Sequence, residues 1–330
     1  MHKISGRWKL GLSLAVVTAA CWGVLPVALA ILLRTLDAYT LTEIRFVTAA
    51  LGLGGILVAM GRLPAVRSII REGWMMLLIA LAGLVGNFVL YVVALTYASP
   101  TINQVVTQLS PLLLMLGGIV VFRERFTGRQ WVGLVLLLVG LPLFFNRRLP
   151  ELLTMRSGLG LGVWLLVLAS MVWSVYGLAQ KYMLRRFQGQ QILLLLYIGS
   201  AILLAPLSHP GEVLRLDTLQ WWLLAFACAN TVVAYGAFAE ALRHWEASRV
   251  GATLTLTPLF TMVTMWIVEH TAPTLVKPEQ LNAISVGGAL VVVGGSMLCA
   301  LGNAGAASAS PKTASPEEKG ARVATGASSG

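Results

Sequence analysis

Apolar runs, each close to the length of a membrane crossing, follow one another along nearly the whole chain, and polar residues gather in the short breaks between them. A hydrocarbon core of about 30 Å takes roughly 20 helical residues to cross. Runs of that order are predicted as helices at 10–33, 38–60, 73–96, 101–122, 129–146, 158–180, 190–207, 218–242, 248–269 and 280–301. The expected fold class is therefore an all-α polytopic membrane protein of about ten transmembrane helices. A transmembrane β-barrel would show short segments of alternating polarity instead of continuous runs. From 302 to 330 the sequence turns to Ala, Ser, Gly, Pro, Lys and Glu, a composition predicted to form a disordered cytoplasmic tail.

The polar residues that do occur inside the runs fall into stripes. Thr18, Trp22 and Pro26 lie four apart in the first span, as do Asn87 and Tyr91 in the third. In the fourth, Thr101, Gln104, Gln108 and Pro111 share a face, and Pro111 removes a main-chain donor and is predicted to kink the helix. Trp173, Tyr176 and Gln180 repeat the spacing in the sixth. The eighth carries Asn230, Thr231, Tyr235 and Glu240, and the ninth Thr253, Thr255, Thr257 and Pro258. Fifth and tenth spans are marked by glycines instead, Gly133 and Gly140 in one and Gly287, Gly288, Gly294 and Gly295 in the other, which points to close helix packing.

These stripes nominate a substrate-binding set facing a central cavity: Trp22, Asn87, Tyr91, Gln104, Gln108, Trp173, Tyr176, Asn230, Tyr235 and Thr257. Amides and hydroxyls can replace a solute's hydration shell, while aromatic faces take its apolar parts or an ammonium group. Each of these side chains could equally serve an interhelical hydrogen bond or an interfacial aromatic belt. Pro111 and Pro258 are the expected hinges. Three charged residues near or within the spans, Glu43, Arg45 and Glu240, are candidates for coupling, because an intramembrane charge is costly unless paired, snorkelled or facing water. Glu43 and Arg45 could pair near a helix end, and Glu240 could snorkel toward Arg243 or His244.

Composition sharpens the membrane assignment. Of 330 residues, 57% are hydrophobic and 11% charged, where a soluble domain has about a quarter charged. The net charge of +11 does not indicate nucleic acid, because the basic residues are unevenly placed. With the N-terminus inside, only Arg34, Arg147, Arg148, Arg156, Arg215 and Lys277 fall in outer segments and Arg45 in a helix; the other 17 are inner. That bias predicts both termini in the cytoplasm, with the loop holding Arg147, Arg148 and Arg156 as its exception. The expected partners are the lipid bilayer, a small-molecule substrate and a proton or other ion gradient. Cys21, Cys228 and Cys299 fall inside predicted helices, so no disulfide, metal or cofactor is expected. The first run is too long for a signal-peptide core and is expected to be retained. With no G-x-x-x-x-G-K-S/T loop present, active transport would draw on a gradient.

Residues 1–150 and 151–301 show ordered self-similarity. Trp22 corresponds to Trp173, and Ala94-Leu95 precedes Pro111 by the 17 positions that separate Ala241-Leu242 from Pro258. Five helices per half is an odd number, so sequential halves must enter the membrane from opposite sides as inverted repeats. Inverted repeats around a midplane site are the architecture of alternating-access carriers.

The stretch SPLLLMLGGIVVFRERFTGRQWVGLVLLLVG, with Ala20-Cys21-Trp22-Gly23 and Arg45-Phe46 before it, resembles the EamA-type repeat of the drug/metabolite transporter superfamily. The second half departs from it where Glu269-His270 stands in place of the Glu-Arg turn of Glu124-Arg125. Glu124, flanked by Arg123, Arg125 and Arg129, is expected to fix a loop. The resemblance implies ten helices, a cavity lined by the first, third, fourth, sixth, eighth and ninth, and export of small metabolites such as amino acids. A channel-like passive facilitator is the alternative. A membrane enzyme is more distant, since His2, His209, His244 and His270 lie in loops or at helix ends.

Overall fold

The computed structural model describes residues 7–63, 66–122, 127–152, 157–279 and 281–308. Among them are thirteen α-helices, two 3-10 turns (Ala205–Leu207 and Pro210–Arg215) and no strand. The helices are α1 (Trp8–Leu32), α2 (Ala38–Ala59), α3 (Val66–Ala94), α4 (Pro100–Val106), α5 (Leu109–Phe122), α6 (Gly128–Phe144), α7 (Leu149–Leu152), α8 (Gly158–Met183), α9 (Gly189–Leu204), α10 (Thr218–His244), α11 (Ala247–Leu254), α12 (Thr257–Thr271) and α13 (Ala283–Ser308). Nine stretches of the described residues are long and apolar enough to cross a membrane, with α4–α5 and α11–α12 each counting as one. At 17 residues α6 sits at the short end of what can span. All ten expected helices are present, and the protein is an all-α polytopic membrane protein.

Several boundaries differ from expectation, and α3 begins at Val66 instead of near 73. The last helix runs on to Ser308 instead of ending near 301, so the first residues assigned to the tail are helical; 309–330 lie outside the described residues, as does the Arg123-Glu124-Arg125 turn. The breaks in the fourth and ninth spans also precede their prolines, at Thr107–Gln108 and Thr255–Leu256. A proline lacks the N–H that would reach the carbonyl four residues earlier, so the fault appears there. Pro111 leaves the Thr107 carbonyl to the Ser110 amide (2.9 Å), and Pro258 leaves the Leu254 carbonyl to the Thr257 hydroxyl (2.5 Å).

The main helix contacts join the two halves of the sequence. α6 packs on α13, α3 on α8, α1 on α10, α2 on α9, α5 on α8 and α1 on α12. The α6–α13 seam brings backbone against backbone: a Cβ added at Gly133 would lie 2.6 Å from the Gly295 carbonyl oxygen, and one at Gly140 would lie 2.7 Å from the Val292 nitrogen. The partners across the seam are Gly288 and Gly295, whereas Gly287 and Gly294, with the same seven-residue spacing, face open space. One residue along a helix turns the face by about 100°, so both pairs keep a seven-residue spacing and only one points at the partner.

Candidate functional site

The centre of the bundle is organised by α1, and within α1 by Pro26. Proline at 26 leaves the Trp22 carbonyl without its main-chain donor, and a buried carbonyl left unpaired costs roughly 1–3 kcal/mol. The Gln104 amide on α4 supplies the donor, Nε2 to O at 2.9 Å. On either side, Asn230 Nδ2 of α10 donates to the Cys21 carbonyl at 2.7 Å and Thr261 Oγ1 of α12 donates to the Gly23 carbonyl at 2.7 Å. Three successive carbonyls of one helix are thus held by side chains from three others. Close approach makes this possible, since Gly23 faces Phe260 so tightly that a Cβ would collide.

The other expected site residues are spread around this centre. The Trp22 ring lies 5.9 Å from that of Phe238. Gln108 is buried beside the fourth-span break. That break interrupts the stripe expected to run unbroken from Thr101 to Pro111. Asn87 donates to the Ala169 carbonyl (3.1 Å) and so ties α3 to α8, while Trp173 and Tyr176 belong to the apolar core between them. The main chain of Tyr91 accepts from Asn103 Nδ2 at 3.1 Å. Thr257 spends its hydroxyl on the Leu254 carbonyl, repairing the Pro258 break. Tyr235 lies on α10, and its side chain is outside the described residues.

The three charged candidates part company. Arg45 is turned inward, 5% exposed, with its guanidinium 5.2 Å from the Phe88 ring centre, which sets aside a snorkelled interfacial role. Glu43 is half-buried. Glu240 bonds Arg243 (2.9 Å) and His244 (3.0 Å) near the end of α10. Among the described residues, no three of His, Cys, Asp and Glu are grouped to hold a metal.

An apolar groove of about 190 Å³ opens between α5, α6, α7 and α8, bounded by Leu109, Leu141, Phe145, Leu152 and Val167. None of the ten nominated residues lines it.

Both halves of the sequence match the EamA-like transporter family, over 9–146 and 160–299. The chain belongs to that family. It is 42% identical over 295 residues to the uncharacterized inner membrane transporter YhbE of Escherichia coli (strain K12), covering 89% of this chain and 92% of that one. An uncharacterized transporter of Haemophilus influenzae is 38% identical over 294 residues, covering 89% and 95%. A solved crystal structure superposes with a TM-score of 0.58 at 18% identity, over 87% of this chain and 95% of that chain, which shows a shared fold. The protein is a multi-pass transporter of the inner membrane.

Sequence reasoning missed two groups. Thr261 was not singled out, although its hydroxyl completes the α1 set. Glu279, in the loop between α12 and α13, belongs to none of the polar stripes; it accepts the Thr101 amide at the start of α4 (3.2 Å), and its own amide donates to Glu269 Oε1 (2.7 Å). The signal available was an acidic residue in the same short stretch as the Glu269-His270 departure, but the contact with α4 spans 178 positions.

Proposed function

We propose that the protein is a secondary carrier that exports small amphipathic metabolites, amino acids or related compounds, by alternating access. The observation that carries this reading is the set of three α1 carbonyls held by Gln104, Asn230 and Thr261. Two of the three donors sit on segments of interrupted spans, and broken helices at membrane depth are tolerated where protein or a water-filled cavity surrounds them. In carriers built from inverted repeats such discontinuous helices form the substrate site, and one repeat rocks against the other around it. The pairing of helices supports that arrangement here. Exchanging the halves maps α6–α13 and α2–α9 onto themselves, α3–α8 onto α1–α10, and α5–α8 onto α1–α12.

In this reading 1–150 and 151–301 are the two repeats, both termini are cytoplasmic, and Gln104 and Asn230 exchange their bonds to α1 for bonds to solute, with Gln108 and Trp22 joining them. Arg45, buried over Phe88, gives the interior a positive charge that suits a solute carboxylate. Cells expressing the protein should gain resistance to toxic amino-acid analogues. Heightened sensitivity would reverse the direction, and an unchanged response across the analogue set would overturn the substrate class. The passive facilitator predicts no trans-stimulation in counterflow, whereas a carrier requires it.

A further inference from the structure

We propose that Glu279 and Glu269 form a proton-operated latch that fastens the loop between α12 and α13 over the start of α4, and so governs whether α4 can leave α1. This rests on the carrier reading above for its role in transport, though not for its existence. The latch lies at the end of the bundle away from Trp8, where Val276 of the same loop packs with Ile31 and Val27 of α1. Its links are continuous. Glu269, near the end of α12, accepts the Glu279 amide (2.7 Å), and the Glu279 carboxylate accepts the Thr101 amide (3.2 Å). Three residues further along α4, Gln104 holds the Trp22 carbonyl. α12 returns to α1 through Thr261. Releasing the loop therefore frees the far end of the segment that closes the centre.

The charges around Glu279 make this joint sensitive to protons. Burial pushes its carboxyl above the ordinary carboxylate value and the Glu269 charge adds to that, while hydrogen bonding from Ser99 and Thr101 opposes it. α4 presents Ser99 and Thr101, which do not titrate in this range, and α13 opens with Asn282 and Ser285, the latter amide-bonded to Asn282 Oδ1. Lys277 on the loop itself is exposed. His270 beside Glu269 is exposed and its ring bonds the Trp266 carbonyl. Arg147 and Arg148, at the end of α6, line a crevice with Ile102, Leu281 and Ser285.

The sign follows from linkage. A latched Glu279 holds its proton more tightly than a released, water-exposed one, so acid favours the latched state. As pH rises through the latched group's pKa the proton leaves to solution, two carboxylates then face each other, and the latch loosens.

Hydrogen exchange by mass spectrometry on the full chain in lipid nanodiscs, corrected for the intrinsic pH dependence of exchange, tests this without any substrate. Amides of 99–106 should lose protection at least severalfold as pH is raised from mildly acid to mildly alkaline, while the α6–α13 seam stays constant. Glu279→Gln, neutral at every pH, should hold protection throughout. Glu269→Gln keeps an oxygen acceptor for the Glu279 amide but removes the charge that opposes Glu279 ionisation, so the pH-dependent loss of protection should be smaller than in the unmodified protein and complete at lower pH; this variant carries the test if the first does not fold. Protection of 99–106 that ignores pH in the unmodified protein, or a Glu279→Gln profile that follows it, would overturn the latch. Neither result depends on what the protein transports.

Discussion

The α6–α13 seam and the α1 centre hold the two halves of the protein together by opposite means. Along the seam, glycines let main chain meet main chain with no side chain between, and a Cβ at Gly133 or Gly140 has nowhere to go. At α1 the contacts are hydrogen bonds from amide and hydroxyl side chains to carbonyls of a proline-containing helix, two of the three delivered by segments of interrupted spans. Close backbone packing is bistable at best and resists gradual deformation. A side-chain hydrogen bond, by contrast, contributes only about 1 kcal/mol net and can be replaced by water or solute. On the carrier reading proposed above, the seam stays fixed and the centre exchanges partners.

That contrast can be broken at several points. The largest effect is expected from Gly140→Leu, which forces a branched side chain against the Val292 backbone. Overpacking of this kind costs about 1–3 kcal/mol and more when only backbone can yield. The variant should lose its monodisperse peak in detergent size-exclusion chromatography; a wild-type thermal midpoint would show that the seam is loose.

Pro26→Ala sharpens the other side. It restores an N–H that competes with Gln104 for the Trp22 carbonyl, so transport should fall severalfold while the protein stays folded, and exchange at the new amide should be slow. Undiminished flux would detach the Gln104 contact from function.

A smaller change is expected from Asp37→Ala. Asp37 caps α2 through the Tyr39 and Thr40 amides and also accepts from the Thr40 hydroxyl. Losing the cap should cost about 1 kcal/mol, read as a modest drop in thermal midpoint without loss of flux. Partial burial pushes the Asp37 carboxyl up, but its bonds to Thr40, His209 and Tyr39 outweigh this and hold it below the ordinary value. Its contribution is therefore present above the unfolded value and lost as pH falls through the folded one.

The spans were legible because length and apolarity alone identify a membrane helix, and the polar interruptions were legible because so few residues interrupt. What the sequence hid was phase and partnership. Pro111 and Pro258 were visible, yet the fault lies at the carbonyl four residues earlier. Gly287 and Gly288 have the same spacing to Gly294 and Gly295, and only packing chooses between the faces. The most connected acceptors in the centre are main-chain oxygens of Cys21, Trp22 and Gly23, which no side-chain pattern announces. Glu279 reads as a loop residue until the fold brings it to Thr101.

The direct test is counterflow in proteoliposomes with a labelled amino acid from the resistance screen, comparing the unmodified protein with the double variant Gln104→Leu, Gln108→Leu. Unlabelled amino acid on the far side should stimulate uptake by the unmodified protein. The variant should show none, while eluting as a folded species with a thermal midpoint lowered by the roughly 1–3 kcal/mol of an unpaired carbonyl. Equal, trans-stimulated uptake by both proteins would contradict the assignment of transport to the α1 centre.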